Sequence, residues 1–307
     1  MAKIVFMGTP DFALPSLHAL IRDHHVAAVV TQPDRRAGRR RELRESPVKR
    51  LARAADIAVL QPQSMRDRAA IDELRSIDAE VFVVAAYGQI LPQSVLDLPK
   101  RGVLNVHASL LPRWRGAAPI QAAIKAGDSE SGVTIMLLDA GLDTGPLLSK
   151  RALSLAADET GKSLHDKLAA LGAELLVDTL PRYLGGEIEP QAQDESAATY
   201  APQIKKEDGL IDWNCSAATI ERLVRAFRPW PGTFTKWRGR QLKIMAGFVG
   251  QGAADAGRVV ERDGAFAIGA GDGLYFPTEL QLEGKRKLSA AAFINGYGDF
   301  VGSTLGC

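Results

Sequence analysis

Apolar residues in the first half of the chain come in short blocks separated by amphipathic stretches. Residues 4–7 form an apolar run that ends at Gly8-Thr9-Pro10, which predicts a buried strand over 3–7 and a tight turn. A helix over 12–21 follows, with Pro15 tolerable only because it lies in the first turn. Further apolar runs at 26–30, 57–60, 81–86, 103–106 and 133–138 predict strands with helices between most of them. Ser46-Pro47 reads as an N-cap followed by the first helical residue, and Ala118-Pro119 opens another helix in the same way. The alternation predicts an α/β fold, a Rossmann-like parallel sheet covered on both faces.

Leu164, Leu168, Leu171 and Leu175 recur at helical spacing, so residues 160–183 read as a long amphipathic helix whose leucine stripe is core. It closes the first domain, expected to span 1–188. Residues 185–210 turn polar and irregular, the composition of a connector, and 189–208 is taken as the linker. Beyond it the texture changes. A helix over 217–227 precedes five short β-rich stretches, at 233–236, 241–248, 257–261, 265–268 and 275–282, separated by glycines. Such punctuation predicts a small OB-like β-barrel domain over 209–307. No internal repeat or low-complexity tract is visible.

Composition changes the picture in two places. With 307 residues, 46% hydrophobic and 24% charged, the chain has the mix of an ordinary globular protein of about two domains. Its two cysteines, Cys215 and Cys307, offer neither a disulfide framework nor a thiolate metal cluster, which fits a reducing compartment. The longest apolar run, 81–87, is far short of the roughly 18 residues a membrane helix needs. The apolar run at 4–7 is too short for a signal peptide. Net charge is only +2, but residues 34–50 carry eight Lys and Arg against three acids, so this segment is locally +5 and the rest of the chain sums to −3. The average hides a basic patch.

Ligands of open parallel α/β sheets bind beyond the carboxyl ends of the strands. Asn105 and His107 stand at the end of the 103–106 run, and Asp143 follows the 133–138 run inside a turn-rich stretch. An amide donor, an imidazole and a carboxylate could together stabilise an oxyanion and move a proton. Taken alone, a strand-end histidine is more often structural than catalytic. The neighbouring Ser109-Leu110-Leu111-Pro112-Arg113-Trp114-Arg115-Gly116 alters the balance. With Asn105-Val106-His107 it resembles the catalytic strand end of the folate-dependent formyltransferases. Similar blocks run through nearly the whole chain: Gly8-Thr9-Pro10-Asp11-Phe12-Ala13, Ala86-Tyr87-Gly88-Gln89-Ile90-Leu91-Pro92, Asp139 to Gly145, Ala198-Thr199-Tyr200-Ala201-Pro202, Pro229-Trp230-Pro231-Gly232 and Leu280 to Lys285.

The resemblance implies transfer of the formyl group of formyltetrahydrofolate to the amino group of methionine on initiator tRNA, with Asn105, His107 and Asp143 as catalytic residues and no metal. It implies a folate site made of Tyr87, Gly88, Gln89, Ile90, Leu91, Pro92, Ser109, Leu110, Leu111, Pro112 and Asp139. The 109–116 run would also wall the path of the aminoacyl end. The basic segment is a long connection of the kind that is usually functional or disordered. It stands where the family's tRNA-specific members carry a basic insertion, so Arg35, Arg36, Arg39, Arg40, Arg41 and Arg44 are expected on the acceptor stem, gripping phosphates. In that family a proline commonly follows the first of these arginines, and here Arg36 does. Between residues 200 and 250 nine basic residues face four acids, which suits a nucleic-acid surface on a small barrel. Lys206, Arg238 and Arg240 are its expected RNA contacts, while Trp230, flanked by prolines, is expected to be packed away. The implied partners are initiator methionyl-tRNA and a folate, acting on a monomer in a bacterial cytoplasm. Alternatives on the same scaffold are a nucleotide-sugar amine formyltransferase and a formyltetrahydrofolate hydrolase. A non-catalytic RNA-binding protein is the alternative of a different kind, and retention of Asn105, His107 and Asp143 argues against it.

Overall fold

The computed structural model describes residues 1–37, 42–262 and 264–306. The chain forms two compact units, one of residues 1–119, 130–154 and 165–201, the other of 120–129, 155–164 and 202–307.

The first unit is built on a sheet of seven strands: β1 (Lys3–Gly8), β2 (His25–Val30), β5 (Ala58–Leu60), β6 (Val81–Ala85), β7 (Val103–His107), β9 (Glu130–Leu137) and β10 (Leu147–Ser154), in the order β10-β9-β7-β6-β1-β2-β5. The pairs β1–β2, β1–β6, β2–β5 and β6–β7 are parallel. The run at 133–138 departs from the expected parallel sheet: β9 runs antiparallel to both β7 and β10. Apolar content specifies burial and carries no strand direction, so the pattern predicted the strand but not its sense. Strand β10 escaped prediction because it is an edge strand whose exposed face carries Lys150.

Both faces of the sheet are covered. Val5 and Met7 of β1 pack into a core with Val30, Phe82, Val84, Val95 and Leu96, while Ile4 and Phe6, of the other parity, are equally buried. The helices of this unit are α1 (Leu14–Asp23), α2 (Pro47–Ala54), α3 (Arg68–Ser76), α4 (Gln93–Leu96) and, from His165 on, α6 (Gly161–Leu184), while α5 (Pro119–Ala126) belongs from Ile120 on to the second unit. Helix α2 starts as expected, with the Ser46 hydroxyl accepting the Lys49 amide at 3.0 Å. In α6, Gly172 admits a close approach to the sheet, since a Cβ there would lie 2.8 Å from Val106 Cγ1.

Between β2 and α2 the basic segment begins and ends in a short antiparallel ladder, β3 (Arg35–Ala37) with β4 (Glu42–Arg44), in which Arg35 faces Arg44. At its base Asp34 joins Lys49 (2.6 Å) and Gln61 (2.8 Å). The hydrogen bond from Lys49 holds the Asp34 carboxyl below the usual carboxylate range. A further short pair, β8 (Arg115–Gly116) with β11 (Tyr200–Ala201), is parallel. Residues 189–201, which polarity alone reads as connector, are thus built into the first unit.

The second unit carries α7 (Ala217–Ala226), α8 (Ala290–Gly296) and an antiparallel sheet of β12 (Thr233–Trp237), β13 (Arg240–Gly250), β14 (Val259–Arg262), β15 (Ala265–Gly269), β16 (Leu274–Leu282) and β17 (Leu288–Ser289). The order is β12-β13-β16-β15-β14, with β17 on β16. Its core gathers Trp213, Ile220, Trp237, Phe266, Tyr275, Phe293 and Phe300. Trp230, expected to be packed away, is 57% exposed, whereas Trp237 is only 3% exposed. Strand alternation buries Trp237, because Thr233, Thr235 and Trp237 share the inward parity of β12. Among the described residues no helix is long and apolar enough to cross a membrane.

Candidate active site

Asn105 and His107 lie two residues apart on β7 and therefore emerge on one face of the sheet. Both are buried. Hydrogen bonding fixes the strand on both sides, to Val84 of β6 at Asn105 and to Thr134 of β9 at His107. The imidazole sits between two acceptors. Its Nε2 lies 3.1 Å from the Trp114 carbonyl, and its Nδ1 lies 3.7 Å from Asp143 Oδ2. A carbonyl only accepts, so Nε2 carries a proton in this contact. The Nδ1–Oδ2 separation exceeds a direct hydrogen bond. An Nδ1–H here can be aimed at a third atom.

Asp143 reaches this place from the turn after β9, with a left-handed φ of 54°. Its Oδ2 accepts the Gly116 amide at 2.8 Å. Gly116 is itself demanding: its φ is +110°, and a Cβ would lie 2.7 Å from the Ala201 carbonyl oxygen. His107 and Asp143 are therefore organised around one turn, 114–116, while Asn105 shares a face of β7 with His107.

The expected folate residues divide between inward and outward roles. Tyr87 is buried, its hydroxyl has no partner, and burial pushes that hydroxyl up to about 12. Its carbonyl accepts from Thr9 (2.9 Å) and Gln32 (3.3 Å). The Gln89 amide is used by the fold, accepting from Met65 N (3.0 Å) and donating to the Pro62 carbonyl (3.2 Å). Gly88 is open and Ile90 is 81% exposed, so this loop presents backbone and one apolar side chain outward, while Leu91 is buried and Pro92 half-buried. Ser109 donates to the Arg113 carbonyl at 2.6 Å, and Thr134 bonds the backbone at Ser109 and Leu111. Leu110 and Pro112 are half-buried. Asp139 closes its own turn, accepting from Gly141 N (3.0 Å) and Thr144 Oγ1 (2.7 Å).

Of the expected RNA contacts, Arg35 and Arg44 are exposed across the β3–β4 ladder, and Arg36 lies in β3. Arg39, Arg40 and Arg41 lie outside the described residues. In the second unit Lys206, Arg238 and Arg240 are exposed. Arg238 pairs with Asp299 and covers the Trp237 ring at 5.0 Å, and Arg240 donates to the Glu283 carbonyl at 2.5 Å.

Sequence reasoning gave Gln193 and Glu195 no functional role and placed Arg115 only within the 109–116 wall of the aminoacyl path. Arg115 is fully buried, and its guanidinium bonds Glu195 (2.8 and 2.7 Å) and the side-chain oxygen of Gln193 (3.1 and 2.9 Å). Gln193 sits in a polar run that looks like connector, so only the buried arginine, a charge needing a partner, could have pointed to it.

Residues 2–180 match the formyl transferase family, and residues 203–298 match the formyl transferase C-terminal domain. The chain belongs to the formyl transferase family. It is similar to the methionyl-tRNA formyltransferase of Geobacter sulfurreducens, 47% identical over 307 residues that cover 99% of this chain and 96% of the relative. Similarity to the methionyl-tRNA formyltransferase of Chromobacterium violaceum is 49% over 307 residues, covering 99% of each. Among solved structures, HypX from Aquifex aeolicus in complex with tetrahydrofolic acid superposes with a TM-score of 0.65 at 19% identity, over 98% of this chain and 48% of HypX. This formyl transferase thus spans about half the length of HypX and shares its fold.

Proposed function

We propose that this formyl transferase moves the formyl group of formyltetrahydrofolate onto the free amino group of methionine esterified to initiator tRNA, for translation initiation. The observation that carries the reading is the placement of His107 between the Trp114 carbonyl and the Asp143 carboxylate, with Asn105 on the same strand face. Full-length similarity to proteins named methionyl-tRNA formyltransferase supports the choice of acceptor.

The neutral amine attacks the formyl carbon, a C–N bond forms, and the carbonyl electron pair moves onto the formyl oxygen. The Asn105 amide and the Nδ1–H of protonated His107 donate to that oxygen. The amine proton passes to Asp143, directly or through water. Collapse breaks the bond to the folate nitrogen, which leaves with a proton as tetrahydrofolate. The loop 87–92, the 109–112 run and Asp139 are the folate side of the site. Arg35, Arg36, Arg39, Arg40, Arg41 and Arg44 of the first unit, with Lys206, Arg238 and Arg240 of the second, are the RNA contacts. The active form is a monomer acting in the cytoplasm, without a metal.

The test is transfer of labelled formyl from formyltetrahydrofolate to charged initiator tRNA, with a free small amine in parallel. Transfer to tRNA alone is expected, and Asn105→Ala or His107→Ala should reduce it about a hundredfold or more. Transfer to the small amine but not to tRNA overturns the acceptor. Near-normal rates in both variants overturn the site.

A further inference from the structure

We infer that Gln193 is a positioning residue for Asp143, locked in one orientation by the buried guanidinium of Arg115. The inference rests on the formyl-transfer reading above for its kinetic consequence, and on geometry alone for its structural one. Gln193 Nε2 donates to the Asp143 carbonyl at 2.8 Å and to the Gly145 carbonyl at 2.7 Å. Its oxygen accepts from Arg115 Nε at 3.1 Å and from Nη2 at 2.9 Å. A guanidinium only donates and a carbonyl only accepts, so the amide has one permitted orientation and all four contacts are of the right sense. The backbone at Asp143 and two residues after it is thereby tied from outside its own turn.

The same arginine reaches the site by a second route. Arg115 N donates to the Thr199 carbonyl at 2.8 Å, and Trp114 N donates to Thr199 Oγ1 at 2.9 Å. These bonds set the turn whose Trp114 carbonyl meets His107 Nε2 and whose Gly116 amide meets Asp143 Oδ2. The strap 193–201 therefore holds both partners of the catalytic imidazole, one through backbone pairing and one through the Gln193 amide. Asp143 needs this support because its left-handed φ of 54° is a conformation that a non-glycine residue adopts only when its surroundings enforce it. Exposed Glu195 neutralises Arg115 from the other side, so the guanidinium is fully paired although buried.

The experiment compares wild type with Gln193→Met and Gln193→Glu. Methionine keeps length and volume without hydrogen bonds. Glutamate keeps the bond to Arg115 but turns a carboxylate oxygen toward two carbonyl oxygens. In both, kcat for tRNA formylation should fall about tenfold, the scale expected when one positioning hydrogen bond is removed, with KM for tRNA and for formyltetrahydrofolate within twofold of wild type. Hydrogen exchange of the Gly116 amide, which reports on the Asp143 carboxylate without any turnover, should accelerate in both variants. Wild-type kcat and Gly116 exchange in Gln193→Glu overturn the inference, since Arg115 pairing would then be all that Gln193 does. Faster Gly116 exchange in a protein whose wild type transfers no formyl group supports the positioning and overturns the function reading instead. A fall in kcat with unchanged Gly116 exchange also overturns the inference, because Asp143 would not have moved.

Discussion

Asp143→Asn isolates charge from shape. Asparagine keeps the size of the side chain and an oxygen able to accept the Gly116 amide at 2.8 Å, so the turn should survive. What disappears is the negative charge 3.7 Å from His107 Nδ1. At an effective dielectric of about 20, suited to a site with both side chains largely buried, one unit charge acting on another at that distance contributes about 4 kcal/mol. Part of this is recovered by the amide dipole, and at about 1.4 kcal/mol per decade the turnover should drop by about two to three orders of magnitude. The assay is single-turnover formylation at saturating tRNA and folate, with folate binding measured by titration calorimetry and folding by thermal melting. Binding and melting are expected to match wild type. A rate within tenfold of wild type would refute the reasoning, because a carboxylate in this geometry cannot be both essential for the imidazolium and dispensable.

Gly116→Ala places a methyl group 2.7 Å from the Ala201 carbonyl oxygen at a φ of +110°, so it should cost about 1–3 kcal/mol of stability and impair turnover together; an unchanged urea midpoint would contradict this. Asp34 has a lowered carboxyl pKa through its bond from Lys49, so its contribution to stability is present above the ordinary carboxylate range and is lost as pH falls through the depressed folded value. Urea midpoints measured down through the acid range should therefore fall less steeply in Asp34→Asn than in wild type, and parallel curves would exclude the coupling. Replacing Arg40 and Arg41 by alanine should weaken tRNA binding and flatten its salt dependence by about one unit for each phosphate left without its arginine, leaving folate affinity unchanged. Equal salt slopes would reduce the segment to a solvated charge run.

The order of strands and helices was legible because each buried element carries its own signal. An apolar run bounded by Gly8-Thr9-Pro10 marks β1, and a serine followed by proline marks the start of α2. What escaped were properties that belong to pairs of elements. The antiparallel sense of β9 depends on its neighbours β7 and β10, and the ladder of β3 with β4 depends on two short charged stretches finding each other. The burial of Trp237 follows from strand parity in β12, which a composition argument about basic and aromatic content does not contain.

The site divides along the same line. Asn105, His107 and Asp143 were selected because chemistry at the carboxyl ends of strands is a rule of open α/β sheets and because the surrounding blocks match a family. The carboxylate itself, however, is only half the requirement. A left-handed turn residue has many alternatives within a few kcal/mol, and a displacement of about 1 Å is enough to cost a large part of the rate. The groups that remove those alternatives come from 193–201, fifty residues beyond Asp143 in the chain, in a stretch whose polar composition is that of any surface connector. Only the buried charge of Arg115 distinguishes it, since a guanidinium with no solvent must have acceptors and none are near it in sequence. The candidate residues are marked locally in this chain, and their geometry is supplied from a distance.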